Sequence, residues 1–248
     1  MAAGPTILSE IHRDLPREGP GDAASTRRAW MATGLTGSAR ILDVGCGPGA
    51  QTVDLANVST GRITALDISR PYLHELRNRM RAARVAHRVD VVQASMFAMP
   101  FRPACFDVIW SEGAIYFLGF ERALRDWRRL IRRRGYISVT HLSWLDRVAP
   151  DEPRRFWARA FPEMQGIDDN VAAAVDAGFD VVDRFALPES AWWDGYYGPM
   201  EQRLAALREK YRDDNEAMTA IENSQAEIEL YRRFSRYYGY VFYVLCVR

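Results

Sequence analysis

The 248-residue chain is predicted to fold as an α/β domain, a doubly wound, seven-stranded, mostly parallel sheet with an inserted cap before the last strand. Three features predict it. Short apolar runs alternate with amphipathic stretches of about 8 to 13 residues, the pattern of βαβ crossovers with helices on both faces of a sheet. A glycine-rich turn closes the first run. About 54 residues separate the last two runs, far beyond an ordinary connection, and most of them form the cap.

Arg40 to Val44 reads as the first strand, and a helical pattern follows from Ala50 to Asn57. Arg62 to Leu66 is the second strand and ends at Asp67. Pro71 then opens a helix to about Ala83, because its missing N–H would be unpaired in a first turn anyway. Val89 to Gln93 and Phe106 to Trp110 give the third and fourth strands, separated by the turn Met99-Pro100-Phe101-Arg102-Pro103. A helix is expected from Phe120 to Ile131, with Leu124, Trp127, Leu130 and Ile131 on one face. Gly135 would end it before a fifth strand, Tyr136 to Thr140. A helix near Asp169 to Ala177 and Gly178 lead into a sixth strand, Phe179 to Phe185, and Tyr240 to Val247 is the seventh. The expected organisation is one domain: an N-terminal helical cover (1–37), a core (38–187), a cap (188–235) and the last strand (236–248).

Charge and composition narrow the function. With 33 Lys and Arg against 32 Asp and Glu, the net charge of +1 argues against a protein that grips nucleic acid or an anionic membrane. The 48% hydrophobic content suffices for a full core. No apolar stretch reaches the ~18 residues of a membrane span, and Met1 to Asp14 lacks the layout of a secretory signal, so a cytoplasmic location is expected. Cys46, Cys105 and Cys246 have no paired spacing and suggest neither disulfides nor zinc.

The most informative segment is Ile41-Leu42-Asp43-Val44-Gly45-Cys46-Gly47-Pro48-Gly49-Ala50. Gly45, Gly47 and Ala50 satisfy the dinucleotide pattern G-x-G-x-x-G/A, so a nicotinamide or flavin enzyme is one reading. Two features point elsewhere. Asp43 ends the strand beside the loop, where two unit charges ~4 Å apart repel by about 4 kcal/mol at an effective dielectric near 20. Pro48 removes a backbone donor that an anion site would use. The loop therefore favours a nucleoside bearing positive charge. Asp67, placed to accept both hydroxyls of a ribose, completes a site for S-adenosylmethionine.

The loop, Asp67, Met99-Pro100-Phe101 before Phe106-Asp107-Val108-Ile109, and the helix to Arg134-Gly135-Tyr136 together resemble a class I S-adenosylmethionine-dependent methyltransferase, with its Rossmann-like fold, over about residues 38 to 142. Trp110-Ser111-Glu112-Gly113-Ala114-Ile115-Tyr116 and the ending Tyr237-Tyr238-Gly239-Tyr240-Val241-Phe242-Tyr243 resemble a group of small bacterial, type 11-like members. The resemblance implies that Asp43, Gly45 and Gly47 hold the methionine part, with Cys46 and Gly49 in the same loop. Asp67 would hold the ribose, and Ile68 one face of the adenine. Ser95, with Met96 beside it, stands where such enzymes often carry an acid for the adenine amino group. Gly19-Pro20-Gly21-Asp22 and a helix from Ala23 would cover the cofactor, whose spent form is S-adenosylhomocysteine.

Methyl transfer is an in-line displacement, for which alignment and exclusion of water matter most. A general base is needed only for a protonated or weakly nucleophilic acceptor. The fourth strand ends at Trp110-Ser111-Glu112, so Ser111 is expected beside the cofactor and Glu112 to orient or deprotonate the acceptor, with Tyr116 close behind. The fifth ends at Thr140-His141-Leu142, making His141 a second candidate base. In the cap, Trp192, Trp193, Tyr196 and Tyr197, with Tyr237 and Tyr238, either pack the insertion or wall a pocket for an organic, even cationic, acceptor. The expected partner is a small molecule rather than nucleic acid or membrane, the protein being a monomer or homodimer. Alternatives are a nucleic-acid or protein methyltransferase, a nicotinamide oxidoreductase, or a cofactor-binding protein without turnover.

Overall fold

The computed structural model describes residues 6–248; the start of the segment Met1–Asp14 and of the 1–37 cover lies outside the described residues. Seven strands are present: β1 (Arg40–Val44), β2 (Arg62–Asp67), β3 (Val89–Gln93), β4 (Phe106–Ser111), β5 (Ile131–Trp144), β6 (Phe179–Ala186) and β7 (Tyr238–Val247). They form one sheet in the order β3-β2-β1-β4-β5-β7-β6. The first five are parallel to one another, and β7 runs antiparallel to both β5 and β6. The mostly parallel doubly wound sheet read from the sequence is thus the fold observed.

The central strands are buried on both faces, which is why Ile41-Leu42 and Val108-Ile109-Trp110 are unbroken apolar runs. One face is covered by α2 (Ala23–Ala32), α3 (Ala50–Val58) and α4 (Arg70–Ala82), through Trp30, Leu55, Leu73 and Leu76. The other is covered by α5 (Phe120–Arg128) and α7 (Ile167–Asp176), through Leu124, Trp127 and Ala174. Helix starts are set locally. Asp22 accepts from the Ser25 N–H at 2.7 Å, and Ser69 caps α4 just ahead of Pro71.

Two boundaries differ from the sequence reading. The helix expected to reach Ile131 stops at Arg128, and β5 starts at Ile131 and runs to Trp144. The approach to β4 competes for this segment, since Ala104 donates to the Arg129 carbonyl and Cys105 and Phe106 donate to that of Leu130. Gly135 accordingly lies inside β5, not at a helix end. A Cβ there would sit 2.8 Å from the Asp107 carbonyl oxygen, beside the irregularity that shifts the β4 register between Phe106 and Val108. The helix α6 (Asp151–Ala160) was not anticipated; Asp151 and Glu152 occupy its first turn and Trp157 is its buried anchor.

Between β6 and β7 lie α8 (Glu189–Trp192), a π-helical turn (Trp193–Tyr197), α9 (Gly198–Lys210) and α10 (Asn215–Phe234). With α1 (Ile7–Ile11) and α6 they enclose a third apolar cluster, in which Trp192 stacks on Tyr231 at 4.1 Å. Among the described residues no helix is long and apolar enough to cross a membrane.

Candidate functional site

The chain leaves β1 toward β2 and β3 on one side and later returns to β4 on the other. At such a reversal the carboxyl ends of the strands diverge and leave a crevice. Its floor is the turn after β1. Gly45 and Cys46 both donate to the Leu66 carbonyl, at 2.8 and 3.0 Å, which fixes the turn against β2. Gly45 (φ 69°) and Gly47 (φ 51°) adopt backbone that other residues rarely accept. A Cβ on Gly45 would collide with the Ala114 side chain, whereas one on Gly47 would make only an ordinary contact, 3.8 Å from Glu18 Cγ. Asp67 then locks the loop, its Oδ2 accepting from the Gly47 N–H at 2.9 Å and its Oδ1 from that of Ser69 at 2.8 Å.

The crevice is about 480 Å³, within the usual range of roughly 300–1,000 Å³ for small-molecule sites. Gly45, Cys46, Gly47, Asp67, Ile68, Ser95, Met96, Glu112 and Tyr116 line it. Ile68 is 69% exposed, and Phe97 (58%) and Phe117 (61%) lie on the same rim. Large apolar side chains standing in water beside a polar loop mark a surface that a flat ligand would cover. Ser95 Oγ accepts from the Phe97 N–H at 3.2 Å and keeps its own proton free to donate.

Other expected site residues stand apart from the crevice wall. Gly49 caps α3, and a Cβ there would run into Leu76, so it serves helix packing. Ser111 is fully buried beneath the surface. Asp43 lies under the loop, also fully buried; its Oδ2 accepts from Thr52 Oγ1 at 2.6 Å, and its Oδ1 has no partner among the described residues. Burial pushes the Asp43 carboxyl up to about 7, against the opposing bond from Thr52. The Cys46 thiol is raised far above its ordinary range, again by burial, and is no nucleophile.

Glu112 reaches the crevice fully occupied. Its Oε1 accepts from Thr26 Oγ1 (2.7 Å) and Trp110 Nε1 (2.8 Å), and its Oε2 from Arg17 Nη1 (3.2 Å). Burial raises its pKa and Arg17 opposes the rise. His141 corrects the reading more sharply. Because β5 continues to Trp144, His141 sits inside the strand, opposite Val241, stacked on Phe120 at 4.9 Å. It faces a separate crevice with Asn170 and Glu163, and burial lowers its pKa to about 4.

The aromatic group divides as well. Trp192, Tyr197 and Tyr238 are core. Trp193 and Tyr237 lie under the guanidinium groups of Arg232 (4.8 Å) and Arg236 (4.4 Å). Tyr196 alone of the six comes near the crevice, its ring 6.0 Å from that of His12, which lines it.

Sequence reasoning overlooked His12, Arg17, Glu18 and Tyr72. Glu18 accepts from the Tyr72 hydroxyl at 2.8 Å and lies 3.2 Å from His12 Nδ1; Arg17 pairs with both Asp54 and Glu112. These contacts draw the segment before Gly19-Pro20-Gly21 over the loop. Its only signal was the position of Arg17-Glu18 beside those residues, since an irregular segment carries no periodicity.

An adenosine with a cationic amino-acid tail fits these features. The Gly47 turn, above the unpartnered but fully buried Asp43 Oδ1, suits the tail, Asp67 retains lone pairs for ribose hydroxyls, and Ile68 with Phe97 suits the base. A diphosphate fits poorly, because Glu18, Asp67 and Glu112 line the crevice. Among the described residues its one arginine, Arg17, is already committed to two carboxylates.

Residues 42–139 match the family model described as a methyltransferase domain. Among curated relatives, Methyltransferase GfsG of Streptomyces halstedii is 25% identical over 163 residues, 64% of this chain and 59% of that protein. The 27-O-demethylrifamycin SV methyltransferase of Amycolatopsis mediterranei is 26% identical over 204 residues, 79% and 72% of the two chains. The chain thus spans about three-fifths of the former and under three-quarters of the latter. Among solved structures, an S-adenosylmethionine-dependent methyltransferase from Geobacter sulfurreducens, crystallised with S-adenosylhomocysteine, superposes with a TM-score of 0.82 over 100% of both chains at 21% identity, a likeness of fold.

Proposed function

We propose, from the premise that this chain carries a class I S-adenosylmethionine-dependent methyltransferase domain on the matching fold, that it transfers a methyl group to an O, N or C atom of a small-molecule acceptor. The observation that carries the reading is the loop from Gly45 to Gly49 closed by Asp67 at the reversal of the sheet, in a crevice lined by acids and rimmed by Ile68 and Phe97.

Bound S-adenosylmethionine supplies a methyl on positively charged sulfur, already activated for displacement. The chain's own residues do the rest. Asp43 and the Gly47 turn orient the tail, Asp67 the ribose, and Ser95 with Ile68 the base. Arg17, Thr26 and Glu112 hold α2 and the preceding segment against the end of β4, which restricts water at the reacting face. Such alignment is worth roughly 7–11 kcal/mol when the reactants are well oriented. Glu112 acts here as a positioning residue, since three donors occupy it. The near-neutral charge and the name of the rifamycin relative support a small organic acceptor over a polymer.

Calorimetric titration with S-adenosylhomocysteine and with NAD tests the cofactor, and mass spectrometry of metabolite pools incubated with enzyme and cofactor tests the transfer. Binding of the first ligand alone and a gain of one methyl in a small metabolite are expected. Binding of NAD, or methylation confined to protein or nucleic acid, would overturn the reading.

A further inference from the structure

We propose that Glu227, on the cap helix α10, anchors the protonated nitrogen of an amine-bearing acceptor, with Tyr116, Tyr196 and Tyr240 as aromatic walls. The inference deepens the methyl-transfer reading and rests on it.

Glu227 is half-buried, and its Oε1 accepts from the Tyr197 hydroxyl at 2.7 Å. Tyr197 stacks on Tyr196 at 5.0 Å, and Tyr196 lies beside His12, which with Tyr116 lines the crevice on the cap side. The carboxylate is thus linked to the cap side of the crevice through Tyr197 and Tyr196.

What sets Glu227 apart is its missing counter-ion. In the same region Glu201 and Glu229 pair with Arg232, Glu152 with Arg233, and Glu10 with Lys210. Among the described residues no arginine or lysine pairs with Glu227, and its Oε2 accepts no hydrogen bond. Burial raises its pKa, opposed by the Tyr197 hydroxyl and by His12. Tyr240 stacks on Trp192 at 5.4 Å, and Trp192 in turn lies 5.4 Å from Tyr197; the phenols of Tyr116, Tyr196 and Tyr240 are raised chiefly by burial, with the charge of Glu227 adding to it.

A carboxylate drawn from water without a cation is costly, and a ligand that supplies the cation recovers that cost. An ammonium would meet one free carboxylate oxygen and several ring faces, a combination that attracts cations twice over. A neutral alcohol satisfies the oxygen but not the charge. An anionic acceptor meets repulsion. The cap thus supplies a recognition element that the glycine-loop half of the site lacks.

The probes are phenethylamine, benzyltrimethylammonium, 2-phenylethanol and 3-phenylpropionate, titrated calorimetrically into the protein with and without saturating S-adenosylhomocysteine. The two cations should bind, the alcohol about tenfold or more weakly, and the carboxylate not measurably. Glu227→Gln should lower cation affinity by about tenfold or more, the scale of a lost charged hydrogen bond, while S-adenosylhomocysteine affinity stays within about twofold. That retained affinity also shows that the variant folds. Equal binding of cation and alcohol, binding of neither cation, or unchanged cation affinity in Glu227→Gln would overturn the anchor, and the wild-type series decides even if the variant does not fold. Failure of S-adenosylhomocysteine to bind would overturn the methyl-transfer reading instead, and the titrations without it still judge Glu227.

Discussion

Arg17 spans the mouth of the crevice to Glu112, with Nη1 3.2 Å from Oε2, while its other terminal nitrogen pairs with Asp54 on α3. One guanidinium thus compensates a fully buried carboxylate and a partly buried one, joining the N-terminal segment to two elements of the core.

Arg17→Met should therefore destabilise the protein by about 3 kcal/mol, the lower end of the range for breaking a buried ion pair because Asp54 keeps some water. Glu112→Gln retains an acceptor for Thr26 and Trp110 but loses its charge toward Arg17. It should weaken S-adenosylhomocysteine binding and turnover together. Urea denaturation and calorimetry measure both variants; turnover lost at unchanged cofactor affinity would instead make Glu112 an acid-base residue.

Asp43 sets a pH dependence. Its folded pKa of about 7 lies above the ordinary value of 3.8, so the folded state holds a proton that the unfolded chain releases between those limits. Stability of the cofactor-free protein should then fall as pH rises from about 4 to about 7. The ammonium of the amino-acid tail, which S-adenosylhomocysteine keeps, prefers the ionised carboxylate, so the rise in Tm on adding S-adenosylhomocysteine should grow between pH 6 and 8. Asp43→Asn should flatten both trends, and Asp43→Ala should weaken cofactor binding by about 1–3 kcal/mol. A cofactor-induced Tm rise that is independent of pH in the wild type would exclude this role.

The two loop glycines should respond unequally. Gly45→Ala meets both a positive φ and the Ala114 side chain and should cost about 2–3 kcal/mol of stability with loss of cofactor binding. Gly47→Ala meets the strained backbone alone and should cost about 1 kcal/mol. Thermal melts and cofactor titration of both variants give the ranking, and the reverse order would contradict the loop geometry.

His141→Phe should leave cofactor affinity and turnover within a few-fold of wild type, because the ring is stacked inside β5 and faces the second crevice. With its pKa lowered to about 4, the buried neutral imidazole makes the wild type lose stability as pH falls from about 6.5 toward 4. That slope should lessen in the variant. A turnover deficit in a well-folded His141→Phe protein would restore it as a base.

Legibility followed how locally each feature is specified. The central strands and the loop were readable because Ile41-Leu42 and Val108-Ile109 are buried on both faces and Gly45 and Gly47 have one steric purpose each. The end of α5 was not, since Leu130 and Ile131 fit a helix face and only backbone bonds from residues 104–106 turn them into strand. The same holds at the site. Asp67 stands where a strand end must put it, whereas Arg17 and Glu18 reach the crevice through an irregular segment. His141 was misplaced because five residues were assigned to a strand of fourteen.

The position of β7 carries a consequence for assembly. This strand lies between β5 and β6, so β6 has no neighbour in the sheet until residues 238–247 arrive, after the whole insertion has been synthesised. Until then β5 presents an unpaired edge, the kind of surface that invites pairing with other chains. A nascent chain stalled within α9 or α10 should therefore be protease-sensitive and prone to aggregate, with native compactness gained in one late, cooperative step.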